Sequence, residues 1–262
     1  MRIDLFLTEK GYVSSRKKAQ MLIEEGKVSL DGRIVQKSSQ QLGDGEHTVE
    51  IAQSDEVRYV GRGGLKLEAA LEAFGIDAHD KIALDIGAST GGFTDCLLCR
   101  GAKKVYAVDA GVGQLAKSLL ANPSVISIEK LNARNLLPEH INNTCVDLIV
   151  MDVSFISATY IIPQFPALMT ERGEAVCLVK PQFEVGRSMI GKGGIVRDKT
   201  AHVDAIKRVC ASAESVGLSP IALIPSPIEG GDGNREFLLH LARQTPSVKV
   251  LTAQQIFEIA TK

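Results

Sequence analysis

Two lysines and two carboxylates fall where a chain of alternating strands and helices collects its chemistry. Lys66 follows the loop Gly-Arg-Gly-Gly-Leu (61–65), and Asp152 ends the apolar run VDLIVMD (146–152). Lys180 ends EAVCLVK (174–180), and Glu236 opens EFLLHL (236–241). Such a set can take a proton from a weak acid, such as a hydroxyl, while holding that group in line with an electrophile. Lys180 is assigned as the base. A lysine accepts a proton only as its neutral amine, a form favoured by burial and by a neighbouring cation, here Lys66. Asp152 is expected to orient Lys180, and Glu236 to position Lys66 or the hydroxyl. Each residue alone has a plainer explanation: a solvated lysine, a turn cap in Asp152, a partner for Arg235 in Glu236. Four together at one sheet edge outweigh those explanations.

A second constellation is the turn Asp85-Ile-Gly87-Ala88-Ser89-Thr-Gly91-Gly92-Phe93, which follows one apolar run and opens a helix through Cys96 and Leu98. Glycines there let the backbone approach a ligand, and helix-terminal N–H groups face it. The next strand ends in Val108-Asp109, where a carboxylate can bind both ribose hydroxyls of an adenosine cofactor. A dinucleotide fingerprint needs a glycine where Ser89 stands. The acid two residues before the first glycine makes the turn resemble the S-adenosylmethionine loop of class I methyltransferases. That resemblance implies cofactor contacts from Asp85, Gly87, Ala88, Ser89, Gly91, Gly92, Phe93 and Asp109. It adds Asn132 after the third strand at the adenine, although a loop Asn often only stabilises a turn.

These residues need a scaffold that brings strand ends together. KIALDIG (81–87), KKVYAVD (103–109), SVISIE (124–129), VDLIVMD and EAVCLVK are short, nearly continuous apolar runs separated by helical stretches. That pattern indicates a parallel sheet covered on both faces. SPIALIP (219–225) and EFLLHL bring the count to seven strands in a doubly wound, Rossmann-like α/β fold. If the last strand runs antiparallel, Glu236 reaches the edge that holds Asp152 and Lys180. Thr252 and Gln255 have capping-box spacing in the final helix.

The first 40 residues differ from the rest. They hold eight Lys/Arg and five Asp/Glu, a net of +3, whereas the whole chain is −1. Arg2 to Lys10 reads as a helix with Ile3, Phe6 and Leu7 on one side and Gly11 ending it. Ser14 or Ser15 can cap a second helix that runs to Gly26. Val28 to Leu30 and Arg33 to Val35 flank Asp31-Gly32, a favoured hairpin turn. Three adjacent cations such as Arg16, Lys17 and Lys18 are usually only a solvated face. Ser15-Arg-Lys-Lys-Ala19, Leu22-Ile23, Gly26, Val28 and Asp31-Gly32 resemble the small α+β RNA-binding domain of the ribosomal-protein S-four type. The resemblance implies an RNA grip through Arg2, Arg16, Lys17, Lys18 and Arg33. The expected division is an RNA-binding domain over 1–52, a linker over 53–60 and a catalytic domain over 61–262.

Lys-Asp-Lys-Glu in this order resembles the tetrad of FtsJ-like 2′-O-ribose methyltransferases. VMDVSFIS (150–157), VKPQFEVGR (179–187), GKGGIVRD (191–198) and EGGDGNREF (229–237) resemble the TlyA family across nearly the whole chain. The resemblance implies S-adenosylmethionine as cofactor and ribosomal RNA as substrate, with cytidine riboses in ribosomal subunits as the targets.

Composition is compatible with that reading and narrows the rivals. The 262 residues are 45% hydrophobic and 23% charged, which excludes a disordered or fibrous chain. A haemolysin-like membrane-active protein would need an apolar run of about 18 residues or a strongly amphipathic basic helix, and neither is found. A non-catalytic assembly factor would not need the four tetrad residues. Asp4 and Glu9 interrupt any secretory leader at the start, so the expected location is cytoplasmic. Five scattered cysteines suit reduced thiols. Cys96 and Cys99 have no second pair or histidine cluster near them, so no metal is expected. The loop with Arg187, Lys192 and Arg197 can contact RNA phosphates, though solubility explains it almost as well.

Overall fold

The structure, a computed structural model, describes residues 1–13, 16–24, 26–43, 45, 47–51, 58–231, 233–244 and 249–262. The chain divides into two units, Met1–Val60 and Gly61–Lys262.

In the first unit, α1 (Ile3–Glu9) and α2 (Arg16–Glu24) precede strands β1 (Val28–Leu30) and β2 (Arg33–Ile34). Asp31 and Gly32 have φ of 50° and 75°, the paired positive values of a two-residue turn whose twist matches its strands. A third strand, β3 (Val49–Ile51), pairs antiparallel with β1, Leu30 opposite Val49. Its three residues are too few for alternation to announce it, and the sequence reading lacked it. Ile3, Leu7, Ala19, Leu22, Ile23 and Val28 form the core. Phe6 departs from expectation: it is only half-buried and stacks on Tyr12 at 6.2 Å. The fully buried neighbour on α1 is instead Asp4. Ser14 and Ser15, the proposed caps, lie outside the described residues.

The second unit starts with α3 (Gly63–Phe74). It continues through β4 (Ile82–Ile86), α4 (Gly92–Cys99), β5 (Lys104–Val108), α5 (Lys117–Leu120), β6 (Val125–Ile128) and β7 (Val146–Met151). After α6 (Phe165–Leu168) come β8 (Met169–Val179), α7 (Pro181–Glu184), α8 (Lys199–Glu214), β9 (Leu218–Pro225), β10 (Phe237–Arg243) and α9 (Ala253–Thr261). The strands form one sheet in the order β6-β5-β4-β7-β8-β10-β9. The pairs from β6 to β8 are parallel, and β10 is antiparallel to both neighbours. β8 begins five residues before the expected strand, because its polar start, Thr170 to Arg172, carries no apolar signal.

Successive strand residues face opposite sides of the sheet. Leu84, Ile86, Met151, Cys177, Leu239 and Leu241 pack with α8 and α9 residues such as Ile206 and Ile256. On the other side, His240 stacks on Phe74 of α3 at 5.1 Å. Full burial of one such leucine stabilises the fold by roughly 1.5–3 kcal/mol. Thr252 and Gln255 form the capping box that starts α9.

Strand order reverses between β4 and β7. That reversal leaves a crevice beyond the carboxyl ends of the strands. The register places Ile86 beside both Val108 and Met151, Met151 beside Cys177, and Val179 beside Phe237. Gly87, Asp109 and Asp152, the residues immediately after these ends, therefore collect at one edge, with Lys180 and Glu236 next to them. Among the described residues, no helix is long and apolar enough to cross a membrane.

Candidate active site

A cavity of about 1250 Å³ opens at this edge, with Gly87, Ser89, Asp109, Asn132, Asp152 and Phe155 on its wall. Gly87 has φ 86°, and a Cβ there would collide with the main-chain oxygen of Asp152. The glycine thus lets the β4 turn lie directly against the end of β7. The Gly87 and Ala88 N–H groups both donate to Val108 O, at 2.9 and 3.1 Å. Gly91 and Gly92 also serve close packing. A Cβ at Gly91 would strike Leu119 and Leu115 of the α5 region, and one at Gly92 would lie 2.9 Å from Gly64 N. Phe93 is buried on α4 beside Gly63. Asp85, Ala88, Gly91, Gly92 and Phe93 are absent from the wall of the large cavity. They shape the turn from behind, because the tight strand-to-helix reversal consumes the room that the glycines supply.

Asp109 holds that turn in place. Its Oδ2 accepts from Ser89 N at 2.7 Å and its Oδ1 from Gly111 N at 2.6 Å. Asn132 caps a short 3-10 turn by accepting from Arg134 N at 3.0 Å, and still lines the cavity. Asp85 is fully buried, and its Oδ2 accepts from Thr94 Oγ1 at 2.6 Å. Its Oδ1 has no hydrogen-bond partner among the described residues. Burial pushes the Asp85 carboxyl up to about 7, a rise opposed by the Thr94 bond and helped by the nearby Asp152 charge. A cation is the ligand that relieves this arrangement of Asp85, Asp109 and Asp152. S-adenosylmethionine carries both a sulfonium and an ammonium, so the residues present fit it.

The tetrad resolves into two ion pairs. Lys66 Nζ donates to Glu236 Oε2 at 2.5 Å, with both side chains almost wholly buried. Lys180 Nζ lies 2.5 Å from Asp152 Oδ1 and donates to Ser154 Oγ at 2.9 Å. Local structure explains each placement. Pro181 follows Lys180 and ends the strand by starting α7, because proline lacks the N–H that the ladder requires. Gly230 leaves room for Glu236, since a Cβ there would sit 2.5 Å from Oε1. Of the four, only Asp152 lines the large cavity. Cofactor crevice and tetrad therefore meet at Asp152.

Several neighbours escaped the sequence reading. Ser154 binds the assigned base, and Thr94 binds Asp85. Phe155, at φ 63° and 92% exposed, rests against Phe183 at 5.4 Å. A non-glycine residue at such a φ is uncommon and strained, which is a mark of functional sites. Glu184 is a mostly buried member of the wall, accepting from Ser157 Oγ at 2.5 Å and Ala158 N at 2.8 Å. Burial raises its carboxyl above the ordinary value. Single Ser, Thr and Phe residues carry no spacing signal. For Ser154 and Phe155 the one available signal is their position two and three residues after the strand-end acid Asp152 in VMDVSFIS.

The five basic residues assigned to RNA are not equivalent. Arg2 and Arg16 both bind Asp4, and Lys18 Nζ donates to Tyr59 O at 3.1 Å. Arg33 is exposed at the hairpin. Lys17 lies in α2, and its side chain is outside the described set. Among the described residues, no group of three or more His, Cys, Asp or Glu could hold a metal ion.

Residues 59–243 match the FtsJ-like methyltransferase family, and residues 1–47 match the S4 domain. The 16S/23S rRNA (cytidine-2′-O)-methyltransferase TlyA of Mycobacterium tuberculosis is 41% identical over 93% of this chain and 90% of its own. This chain belongs to the TlyA family of FtsJ-like methyltransferases. Hemolysin A of Brachyspira hyodysenteriae is 42% identical over 92% of this chain and 99% of its own. A solved structure described as a hemolysin, from Streptococcus thermophilus, superposes with a TM-score of 0.77 at 40% identity. It covers 100% of this chain and 94% of that one.

Proposed function

We propose that this TlyA-family chain transfers a methyl group from S-adenosylmethionine to a ribose 2′-hydroxyl of ribosomal RNA, with cytidine as the target nucleoside. The observation that carries the proposal is the Lys180–Asp152 pair at 2.5 Å, formed by the same residue whose main chain locks the Gly87 turn against β7. A proton acceptor and a cation-seeking crevice thereby share one residue.

Asp109 would take the cofactor ribose, Asn132 the adenine side and Asp152 the positive charge, with Asp85 supporting the turn from behind the wall. The bound cofactor supplies an electrophilic methyl group. Lys180 Nζ, once it has released the proton of its ion pair with Asp152, would accept the proton of the 2′-hydroxyl. Asp152 and Ser154 fix where that nitrogen sits, so the hydroxyl is met in a defined direction. The Lys66–Glu236 pair sets a buried cation and carboxylate next to Lys180 in the sheet register, which fixes the field around the base. Phe155 offers an exposed ring on which a nucleobase can stack.

The division of labour rests on the +3 net charge of the first 40 residues and on the position of the tetrad beyond residue 60. Residues 1–52 would grip RNA, 53–60 would link, and 61–262 would carry the chemistry. The substrate would be assembled or nearly assembled ribosomal subunits, which sets the protein's work in the cytoplasm. Mapping ribose methylation in rRNA from cells with and without this chain tests the proposal. A cytidine 2′-O-methyl mark lost with the chain and restored by the parent but not by Lys180→Ala is the expected result. An unchanged methylation map would overturn it.

A further inference from the structure

The first unit buries a charge that its RNA reading does not use. Asp4 is fully buried on α1, within the first 40 residues, whose net charge is +3. Its Oδ1 accepts from Arg2 Nε at 3.0 Å. Its Oδ2 accepts from Arg2 Nη2 at 3.0 Å, Arg16 Nε at 2.9 Å and Gln20 Nε2 at 3.0 Å. The two arginine side chains remain 35% and 47% exposed. Burial works against the Asp4 charge, but the bonds from Arg2, Gln20 and Arg16 outweigh it and hold the carboxyl well below the ordinary range.

We propose that Asp4 is a positioning residue for RNA: one buried carboxylate pins Arg2 and Arg16 as a two-guanidinium fork that clasps a backbone phosphate. The inference rests on the proposed RNA-binding role of the first unit and deepens it. An arginine carries five N–H donors in a rigid plane. Arg2 spends two of them on Asp4 and Arg16 spends one. The rest are left to meet an oxyanion, and paired N–H groups on a guanidinium match phosphate geometry. Two free arginines would lose rotamer freedom on binding, whereas these two have already lost it to Asp4. A carboxylate lowers the raw positive charge of the patch, so its benefit to RNA binding lies in geometry. Charge alone predicts the opposite sign.

That difference in sign is the test. The full-length Asp4→Asn variant gains one unit of positive charge while keeping the shape of the side chain. Binding to ribosomal subunits purified from cells lacking this protein is measured over a salt series, with thermal unfolding as the check on folding. The expected result is affinity weakened roughly tenfold, from the rotamer freedom two arginines must then give up. The log–log salt slope should flatten by about 1–2 units as phosphate contacts loosen. Affinity equal to or tighter than the parent's would overturn the proposal. If Asp4→Asn does not fold, the double variant Arg2→Lys, Arg16→Lys decides the matter. It conserves charge and removes the planar fork, so a comparable loss is expected and unchanged affinity would overturn the proposal. S-adenosylmethionine affinity, read on the same samples, should not move, because the cofactor crevice belongs to the other unit. Failure of the parent itself to bind subunits would instead overturn the RNA-binding role, and this inference with it.

Discussion

Lys180 and Asp152 meet at 2.5 Å across the carboxyl ends of two neighbouring parallel strands, and the main chain of Asp152 also packs on Gly87. The residue that orients the assigned base is thus the one that shapes the cofactor turn. Damage on either side should reach the other, and single substitutions at the base and in the cofactor turn separate the two.

Lys180→Ala should lower single-turnover methyl transfer by about 10²–10⁴, the usual contribution of a general base, with S-adenosylmethionine binding retained. Lys180→Arg keeps a cation beside Asp152 but cannot be deprotonated, so it should fail equally. Parent-like rates in the Arg variant would remove Lys180 from the role of base.

Glu236→Gln leaves the nearly buried Lys66 ammonium without its carboxylate. Breaking a buried pair from one side costs about 3–5 kcal/mol, so a large fall in unfolding temperature is expected together with lost activity. The double variant Lys66→Met, Glu236→Leu should regain much of the stability and none of the activity. Recovery of methyl transfer in the double variant would show that the pair is only structural.

Asp85 has a sign that pH can read. Its carboxyl sits at about 7 in the folded chain against 3.8 ordinarily. Between those values the unfolded state has lost the proton and the folded state keeps it, so stability falls as pH rises through that window. The loss amounts to at most about 4 kcal/mol at 1.36 kcal/mol per pKa unit. Asp85→Asn should flatten this part of the stability profile. A cationic cofactor favours the ionised form, so binding near pH 7 should release protons in the parent and not in the Asn variant. Calorimetry in buffers of different ionisation enthalpy measures that release, and identical proton counts for both proteins would rule it out.

Phe155 is 92% exposed, so Phe155→Ala should leave the unfolding temperature nearly unchanged. Stacking of one base on an aromatic ring contributes about 1–3 kcal/mol. The variant should therefore lose roughly 5- to 150-fold in kcat/KM for RNA while S-adenosylmethionine affinity holds. Unaltered RNA turnover would make the exposed ring incidental.

The sequence by itself determined the seven strands of the large sheet, because each apolar run long enough to be buried on both faces is legible without neighbours. It also determined the residues at strand ends: Asp109, Asp152 and Lys180 stand where an apolar run stops, and a parallel sheet brings such ends to one edge. The sequence places Asp152 beside Lys180 but leaves open whether Glu236 meets Lys66 or a substrate hydroxyl. That depended on β10 running antiparallel beside β8, with Phe237 opposite Val179, a choice made over a separation of nearly 60 residues. The glycines of the 85–93 turn were visible, but their use was not. Whether a missing Cβ admits a ligand or another strand depends on what packs against it, and for Gly87 that is Asp152. Asp4 shows the same limit in the first unit. A carboxylate among Ile3 and Leu7 looks misplaced along the chain, and only the fold brings Arg2, Arg16 and Gln20 around it. Spacing along a chain records local periodicity, whereas a charge is stabilised by partners that folding collects from a distance.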